Sequence, residues 1–594
     1  MQLDIEIKKF FKGDVDDTHE TRVKYSRDAS ILEVMPKIIV YPKDSTDICK
    51  LVKWVNEQNS SKQFADKISI TPRSAGTCMS GGAIGESIIM DFTRYMNKIY
   101  SIEKVEKFNI KPKFPNSNQI EISGSARLEP GVFYRDFEEE TLKQNLLLPC
   151  YTASKSINAM GGMVGNNSAG EKSLFYGKTE DYVAELKVVF ADGYEYKVTP
   201  LNKKELYAKI AQTDFEGEVY KSIFNMIKEN DMAIRAGRPD VSKNSAGYYL
   251  WNILNPEPVE GWDEKKDPSN SSGQAYFDLT KLIVGSQGTL GIVTEIKLHL
   301  VEKKPISKLV VIFMKDLSNL GECIDEILLF HPESLESYDD DTMKLAIKFF
   351  PDFLKKKGLW GMVRFMWSFI PEVFMMITGG IPKLILLAEF VGDNEKEIND
   401  KANAMLSGIK KFNHKARLTR SQTESEKYWN IRRESFALLR KHVKDRHTAP
   451  FIDDFVVKPE FLPQFLPQLR EILKDYKNIE FTIAGHAGNG NFHIIPLIDL
   501  SDPNNADMII ELSKKVYTLV MKYKGSITGE HNDGLIRTPF LLQMYGQYIY
   551  NLFGQTKKIF DKNNILNPGK KIGEGFSYIK NHIIKEGHDH KHDL

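Results

Sequence analysis

The amino-acid sequence predicts an α+β protein of more than one domain, and three observations carry that expectation. A length of 594 residues exceeds what one hydrophobic core organises, so the chain should divide into two or three domains. The first half holds three loops dense in glycine and other small residues, set among short apolar, strand-like runs. The last third holds two glycine-bracketed turns with histidines, Gly485–His493 and Gly529–Gly534. Composition excludes other classes. With 41% hydrophobic and 27% charged residues the chain is an ordinary globular one. Its net charge of +1 offers no field for nucleic acid. Cys49, Cys78, Cys150 and Cys323 are scattered, with no CxxC spacing, which fits free thiols in the cytoplasm rather than zinc or an iron–sulfur cluster. No apolar run follows a basic start at Met1–Phe10, so no secretory signal is expected.

Taken in order, residues 1–24 are expected to be an N-terminal extension. Ile68–Ala83 reads as a short strand entering a loop of small residues. There, Pro72, Arg73, Ser74, Ala75, Gly76, Thr77, Ser80 and Gly81 could hold a pyrophosphate, the backbone N–H groups after Pro72 converging on it. Arg73 would add charge, and Ser74, Thr77 and Ser80 would add hydroxyl donors. No P-loop lysine follows, and no GxGxxG opens a helix, which disfavours a nicotinamide cofactor. Alone, such a loop reads first as a plain surface turn. It is followed by Gly161, Gly162, Asn166, Ser168, Ala169 and Gly170, ahead of a strand-like run at 184–190. A third loop, Gly285, Gly288, Thr289, Gly291, Ile292 and Val293, lies between apolar strands expected at 279–284 and 292–300. Three loops, each expected to follow a strand, suggest one extended ligand laid along a sheet's rim.

The histidine turns suggest a metal. Asn489-Gly490 is a strong two-residue hairpin signal, and such a turn would set His486 directly opposite His493. Directly opposed Cβ atoms lie roughly 4.5–5.5 Å apart, near enough to share one ion. The second turn offers Glu530 and His531. Two histidines and a carboxylate with open positions form a catalytic ligand set, so His486, His493 and Glu530 are the candidate ligands of zinc or a similar divalent metal. A histidine in a glycine-rich turn is otherwise a surface residue or a hydrogen-bonding strut.

In order along the chain, Tyr25–Ala29, Pro36–Pro42, the Arg73–Gly82 loop, Gly161–Gly170, Gly285–Thr294, Gly485–His493, Gly529–Gly534 and Ile565–Lys570 resemble the FAD-linked oxidase family. This is the vanillyl-alcohol-oxidase, or PCMH-type, flavoprotein fold, and its type 4 branch includes D-lactate dehydrogenases, glycolate oxidase flavoprotein subunits and D-2-hydroxyglutarate dehydrogenases. The resemblance implies a PCMH-type FAD-binding domain of two subdomains over residues 25–300. It also implies a C-terminal substrate domain, an antiparallel sheet with helices, over 301–560. A segment at 561–578 would return Asn567 to the cofactor. Relatives with covalent flavin carry a histidine where this chain has Thr77, so non-covalent FAD is implied.

The chemistry expected is oxidation of a D-2-hydroxy acid to the 2-oxo acid. The metal would polarise the hydroxyl, His531 would remove its proton, and hydride would pass to flavin N5. Arg432 matches a family position that clamps the substrate carboxylate, as a guanidinium does well, although it also reads as a helix-surface arginine. Asn489 and Asn532 replace residues usual in the family's turns, and asparagine tolerates left-handed backbone. Phe436 and Ile452 align with a threonine and a lysine that meet the far carboxylate in 2-hydroxyglutarate enzymes, which favours a lactate-like or glycolate substrate. Electrons would go on to a quinone, an electron-transfer flavoprotein or a separate iron–sulfur subunit.

Residues 351–390 mix Lys355–Lys357 with Trp360, Trp367 and many apolar residues, too interrupted to span a membrane. The stretch 355–380 suits a peripheral contact at a membrane interface, and it equally suits a buried insertion or a partner surface. Leu384–Phe390 should be a core strand. The His-rich end, 579–594, should be a disordered tail. Alternatives are a non-redox flavin-fold enzyme resembling alkylglycerone-phosphate synthase, a non-catalytic flavin subunit of an electron-transfer complex, and a flavin-free metallohydrolase.

Overall fold

The computed structural model describes residues 3–61, 67–112, 118–254, 276–340, 342–344, 382–442, 447–476, 479–499, 502, 504–573 and 575–585. Three sheets organise them. In the first, Ile38–Tyr41, Ile88–Asp91 and Ile70–Arg73 run parallel in that spatial order, with Asp14–Asp16 antiparallel on the outer edge. Ile38–Tyr41 and Ile88–Asp91 are buried at every position, as expected for parallel strands covered on both faces. Helix Ser45–Ser61 sets Ile48, Leu51, Val52 and Val55 into the core, the spacing of one helical face. Residues 3–24 are built into this unit, with Ile7 and Phe11 in the same core.

The second sheet is antiparallel, in the order Ile99–Ile110, Ile120–Leu128, Ile292–Glu302, Val183–Val189, Glu195–Val198. Along Ile292–Glu302 buried and half-buried residues alternate, the two-residue period of a pleated strand. The glycine loops differ here from expectation. Only the first directly follows a strand. The second opens helix Met160–Asn166, which closes on Asn167 in left-handed backbone (φ 52). Residues 280–283, expected as strand, form the helical turn Thr280–Ile283. Asp278 sets its start by accepting hydrogen bonds from Thr280 N and Oγ1, a local bond that competes with strand pairing.

The third sheet has seven antiparallel strands, ordered Lys415–Leu418, Ile306–Met314, Leu384–Gly392, Ser334–Asp339, Ile483–His486, Asn491–Ile494, Phe455–Val456. Leu384–Gly392 is thus central, as its apolar sequence predicted. Alternate residues serve two faces. Val310, Ile312 and Met314 join the main core with Ile324 and Ala402, whereas Leu309, Val311 and Phe313 pack with Tyr428, Trp429 and Ile431 of helix Gln422–His442. Ile565–Asn567 returns to the first sheet, where Ile70 N donates to Ile565 O and Asn567 N to Ile70 O, both at 2.8 Å. Helix Phe576–His582 follows, so the expected tail begins inside a helix. Residues 586–594, with the histidine-rich end, and the 355–380 stretch lie outside the described residues. Among the described residues no helix is long and apolar enough to cross a membrane.

Candidate active site

The face of the third sheet under helix Gln422–His442 carries the site. Strand registers pair Tyr338 with Ala484, Ala484 with His493, and His486 with Asn491. Because neighbours two apart share a face, Glu336, His486, Asn491 and His493 project together. The hairpin differs from the one its sequence suggested. His486 faces Asn491, not His493, and the connection is the 3-10 turn Ala487–Asn489 closed by Gly490 at φ 64. Only Gly490 takes left-handed backbone. A side chain there would collide with the Val457 carbonyl oxygen, so the crowded neighbouring strand selects this turn. The histidines remain on one face as diagonal neighbours, ring centroids 5.3 Å apart and perpendicular.

The Gly529–Gly534 turn lies against them. Its backbone is gathered by Asp454, whose Oδ2 accepts from Gly529 N, Glu530 N and His531 N at 3.0, 2.9 and 2.7 Å and from Thr528 Oγ1. Asn532 takes the left-handed conformation its sequence allowed, at φ 66. Glu530 Oε1 consequently sits 3.2 Å from both His486 Nε2 and His493 Nε2, and one ligand atom from each of the three lies within 4.8 Å of the others. The other atom of each is held. His486 Nδ1 meets Glu336 Oε1 at 2.6 Å, His493 Nδ1 meets Asp453 Oδ1 at 3.0 Å, and Lys243 Nζ meets Glu530 Oε2 at 3.0 Å. Such outer contacts orient metal ligands. His531 stacks on His493 at 5.0 Å, and Arg432 Nη2 lies 3.2 Å from Glu336 Oε2.

Four buried carboxylates (Glu336, Asp453, Asp454, Glu530) and three buried cations (Lys243, Arg432, Arg537) surround the histidines. Burial would raise the Glu530 pKa, but Lys243 and His486 hold it well below the usual carboxylate range. Burial favours neutral His493, yet Asp453 and Glu530 push its pKa up to about 10. His531 likewise rises against burial, driven by Asp453 and Asp454. The donor set, two imidazoles and a carboxylate within 4.8 Å of one another, fits a divalent metal.

The three small-residue loops are knitted to each other and to this site. Gly285 N donates to Val164 O, and Gln287 N to Gly165 O, both at 2.9 Å. Asn567 Nδ2 donates to Gly82 O and Gln287 O, and Asn532 Nδ2 to Asn166 O and Gly285 O. Pro72–Thr77, Gly161, Gly162, Asn166, Gly285, Gly288 and Val293 stay half-buried. Beyond Gly162 and Gly165 no heavy atom lies nearer than 3.9 Å to where a side chain would begin. This open run of backbone fits a long cofactor such as FAD. Several of the expected cofactor residues also make contacts within the protein. Arg73 Nη1 donates to Arg27 O and Ala83 O, Ser80 Oγ to His531 O, and Thr289 Oγ1 to Ser286 O. Ser168, Ala169 and Ile292 are buried, as are Gly81, Gly170 and Gly291, and the Asn567 amide is occupied as a rivet.

Residues 36–199 match the family model for the FAD binding domain, and residues 304–571 match that for the C-terminal domain of FAD linked oxidases. The chain belongs to the FAD-linked oxidase family. A curated family relative, the D-2-hydroxyglutarate dehydrogenase of Escherichia coli (strain K12), is 25% identical over 572 residues, 94% of this chain and 50% of that protein. The D-lactate dehydrogenase of Anaerostipes hadrus is 25% identical over 568 residues, 93% of this chain and 92% of that protein. The chain spans about half the length of the first relative and of three further D-2-hydroxyglutarate dehydrogenases it matches. The solved structure of p-cresol methylhydroxylase with substrate bound superposes with a TM-score of 0.59 at 16% identity, over 94% of this chain and 93% of that one. The fold is therefore the PCMH-type FAD-binding domain joined to an FAD-linked oxidase C-terminal domain, as the order of motifs implied.

Within this family member the structure brings together His486, His493, Glu530, His531 and Arg432, all named from sequence. Sequence reasoning missed Lys243, Glu336, Asp453, Asp454 and Arg537. Arg537 is fully buried and donates to Asn532 O and Asp453 O, tying the Gly529–Gly534 turn to the run that carries Asp453 and Asp454. One usable signal was the Asp453-Asp454 pair inside the apolar run Phe451–Val457, where unpaired charge is costly.

Proposed function

We propose that this protein oxidises a D-2-hydroxy acid with a short or apolar tail, such as D-lactate or glycolate, using non-covalent FAD and a divalent metal. The observation that supports this best is the joining of two sites. Asn532, in the turn of Glu530 and His531, donates to Asn166 O and Gly285 O of the flavin-side loops at 3.1 and 2.9 Å. A bound FAD would accept the two electrons, and a divalent cation would polarise the hydroxyl and oppose the carboxylates that raise the proton affinity of His531. His486, His493 and Glu530 would hold the cation, Glu530 through Oε1 because Lys243 occupies Oε2. Arg432 binds the substrate carboxylate, held in place by Glu336. His531 takes the hydroxyl proton at Nε2, with Nδ1 turned to Asp453.

The tail preference rests on Ile452, which is fully buried in the main hydrophobic core and offers no charge to a second carboxylate. The side chain of Phe436 lies outside the described residues. Electrons pass on to a quinone, an electron-transfer flavoprotein or a separate iron–sulfur subunit, in the cytoplasm or at the cytoplasmic face of a membrane. The four described cysteines are free and scattered, so an iron–sulfur relay would come from elsewhere.

Steady-state reduction of a dye acceptor tests the reading. D-lactate or glycolate should support turnover and L-lactate should not, with activity lost on chelation and restored by zinc, manganese or cobalt. Turnover confined to D-2-hydroxyglutarate would remove the tail preference. Turnover that survives complete chelation would remove the metal.

A further inference from the structure

Two neighbouring lysines follow the returning Asn567 turn, and both are buried. They reach different parts of the molecule. Lys570 Nζ donates to Ile84 O at 2.7 Å, just past the first small-residue loop. Lys571 takes left-handed backbone, at φ 67, a region that side chains other than glycine avoid unless their surroundings fix them. Its N–H donates to Thr538 Oγ1 at 3.0 Å. A buried ammonium has three hydrogens to place on acceptors, and Lys571 has three acceptors. Its Nζ lies 2.8 Å from Asp533 Oδ2 and donates to Gly247 O and Ser245 O at 2.8 and 3.1 Å. Asp533 Oδ2 also accepts from Gly247 N at 2.8 Å. Asp533 belongs to the turn of Glu530 and His531, whereas Ser245 and Gly247 lie two and four residues past Lys243.

We propose that Lys571 is a positioning residue, a latch by which the returning segment holds the loop of Lys243 against the turn of Glu530. Neutral bonds already join the two stretches, since Ser245 N donates to Thr528 O at 2.9 Å and Asn532 N to Ser245 Oγ at 3.2 Å. Charge-assisted bonds are roughly twice as strong, and those at Lys571 grip both stretches from one atom. Without that ammonium the Asp533 carboxylate would be left buried beside carbonyls, which repel it. Turn and loop would then draw apart, and Lys243 would lose its fixed place 3.0 Å from Glu530 Oε2. The latch thereby governs which Glu530 oxygen stays free for a metal. That consequence rests on the proposed function, whereas the joining of loop and turn does not.

The test is Lys571→Met, which keeps the side chain's length and removes its charge, in the full flavin-containing chain. Hydrogen exchange read by mass spectrometry should show residues 243–249 and 526–537 opening roughly tenfold or more faster. Residues 70–91 of the first sheet should keep wild-type protection. Zinc affinity, read by calorimetry, should fall by roughly tenfold to a hundredfold at unchanged flavin content. Faster exchange spread equally over all three stretches would mark general support of the fold and overturns the inference. So does wild-type exchange in the loop and turn, or zinc affinity within about twofold of a zinc-binding wild type, and either result leaves the proposed function standing. A wild type that binds no zinc overturns the proposed metal instead, and exchange alone then decides the latch. Should Lys571→Met not fold, Asp533→Asn removes the charge from the other side and should loosen the same two stretches. Should neither variant fold, the wild type decides. Its loop and turn should open as one unit, and protection differing by more than about tenfold between them overturns the inference.

Discussion

Asp454 anchors the turn that carries Glu530 and His531, through three backbone N–H groups and the Thr528 hydroxyl. Asp454→Asn keeps the size but exchanges acceptor for donor in a fully buried place. Leaving buried groups unsatisfied costs about 1–3 kcal/mol, more when charge is involved. The denaturation midpoint should fall accordingly, with weaker metal binding, and an unchanged midpoint would contradict the anchoring role. Arg432→Met removes the guanidinium expected on the substrate carboxylate. A loss of about 1.5–3 kcal/mol corresponds to roughly tenfold to a hundredfold in kcat/KM, carried mainly by KM in steady-state assays. Proton linkage follows from His493. With its pKa raised to about 10, the metal-free ring is protonated at neutral pH, and a metal must displace that proton. Apparent affinity should therefore strengthen as pH rises toward 10, by up to about tenfold per unit. Calorimetry in two buffers of different ionisation enthalpy should read close to one proton released per metal bound.

At the scale of elements, the hairpin shows what local sequence could and could not reveal. The glycine and asparagine between His486 and His493 announce a tight reversal, and the reversal is there. Its register was not legible, because the choice between a two-residue turn and a 3-10 turn depends on the Val457 carbonyl against which Gly490 packs. Gly490→Ala should therefore abolish metal binding while flavin content persists. A variant with wild-type metal stoichiometry would contradict this dependence. The small-residue loop at 161–170 was legible as a place of close approach. That it opens a helix was not, since Gly161 and Gly162 weaken any helical signal. Lys243 and Glu336 stood alone among ordinary charged residues, and only tertiary packing brings them to the ligands. His486, His493, Glu530 and His531 were legible because each lies in or beside a short glycine-bracketed turn.

Across the whole molecule, the site exists only where three distant stretches meet. Lys243 comes from the end of the FAD-binding half, Glu336 and His486 from the third sheet, and Glu530 from the turn that Asn532 ties to Asn166 and Gly285. The chain closes on itself through Ile565–Asn567 beside Ile70, so substrate and flavin sides are fixed to one frame. The order of motifs made this division readable in the sequence, whereas the stitching depends on side-chain amides and carbonyls that carry no sequence pattern. The central claim is that flavin and hydroxy acid meet at this junction, and an anaerobic visible spectrum of the purified protein tests it most directly. The account predicts flavin absorbance near ~450 nm that bleaches on adding D-lactate or glycolate and persists with L-lactate. Flavin that no 2-hydroxy acid bleaches, or a colourless protein that FAD does not reconstitute, would contradict it.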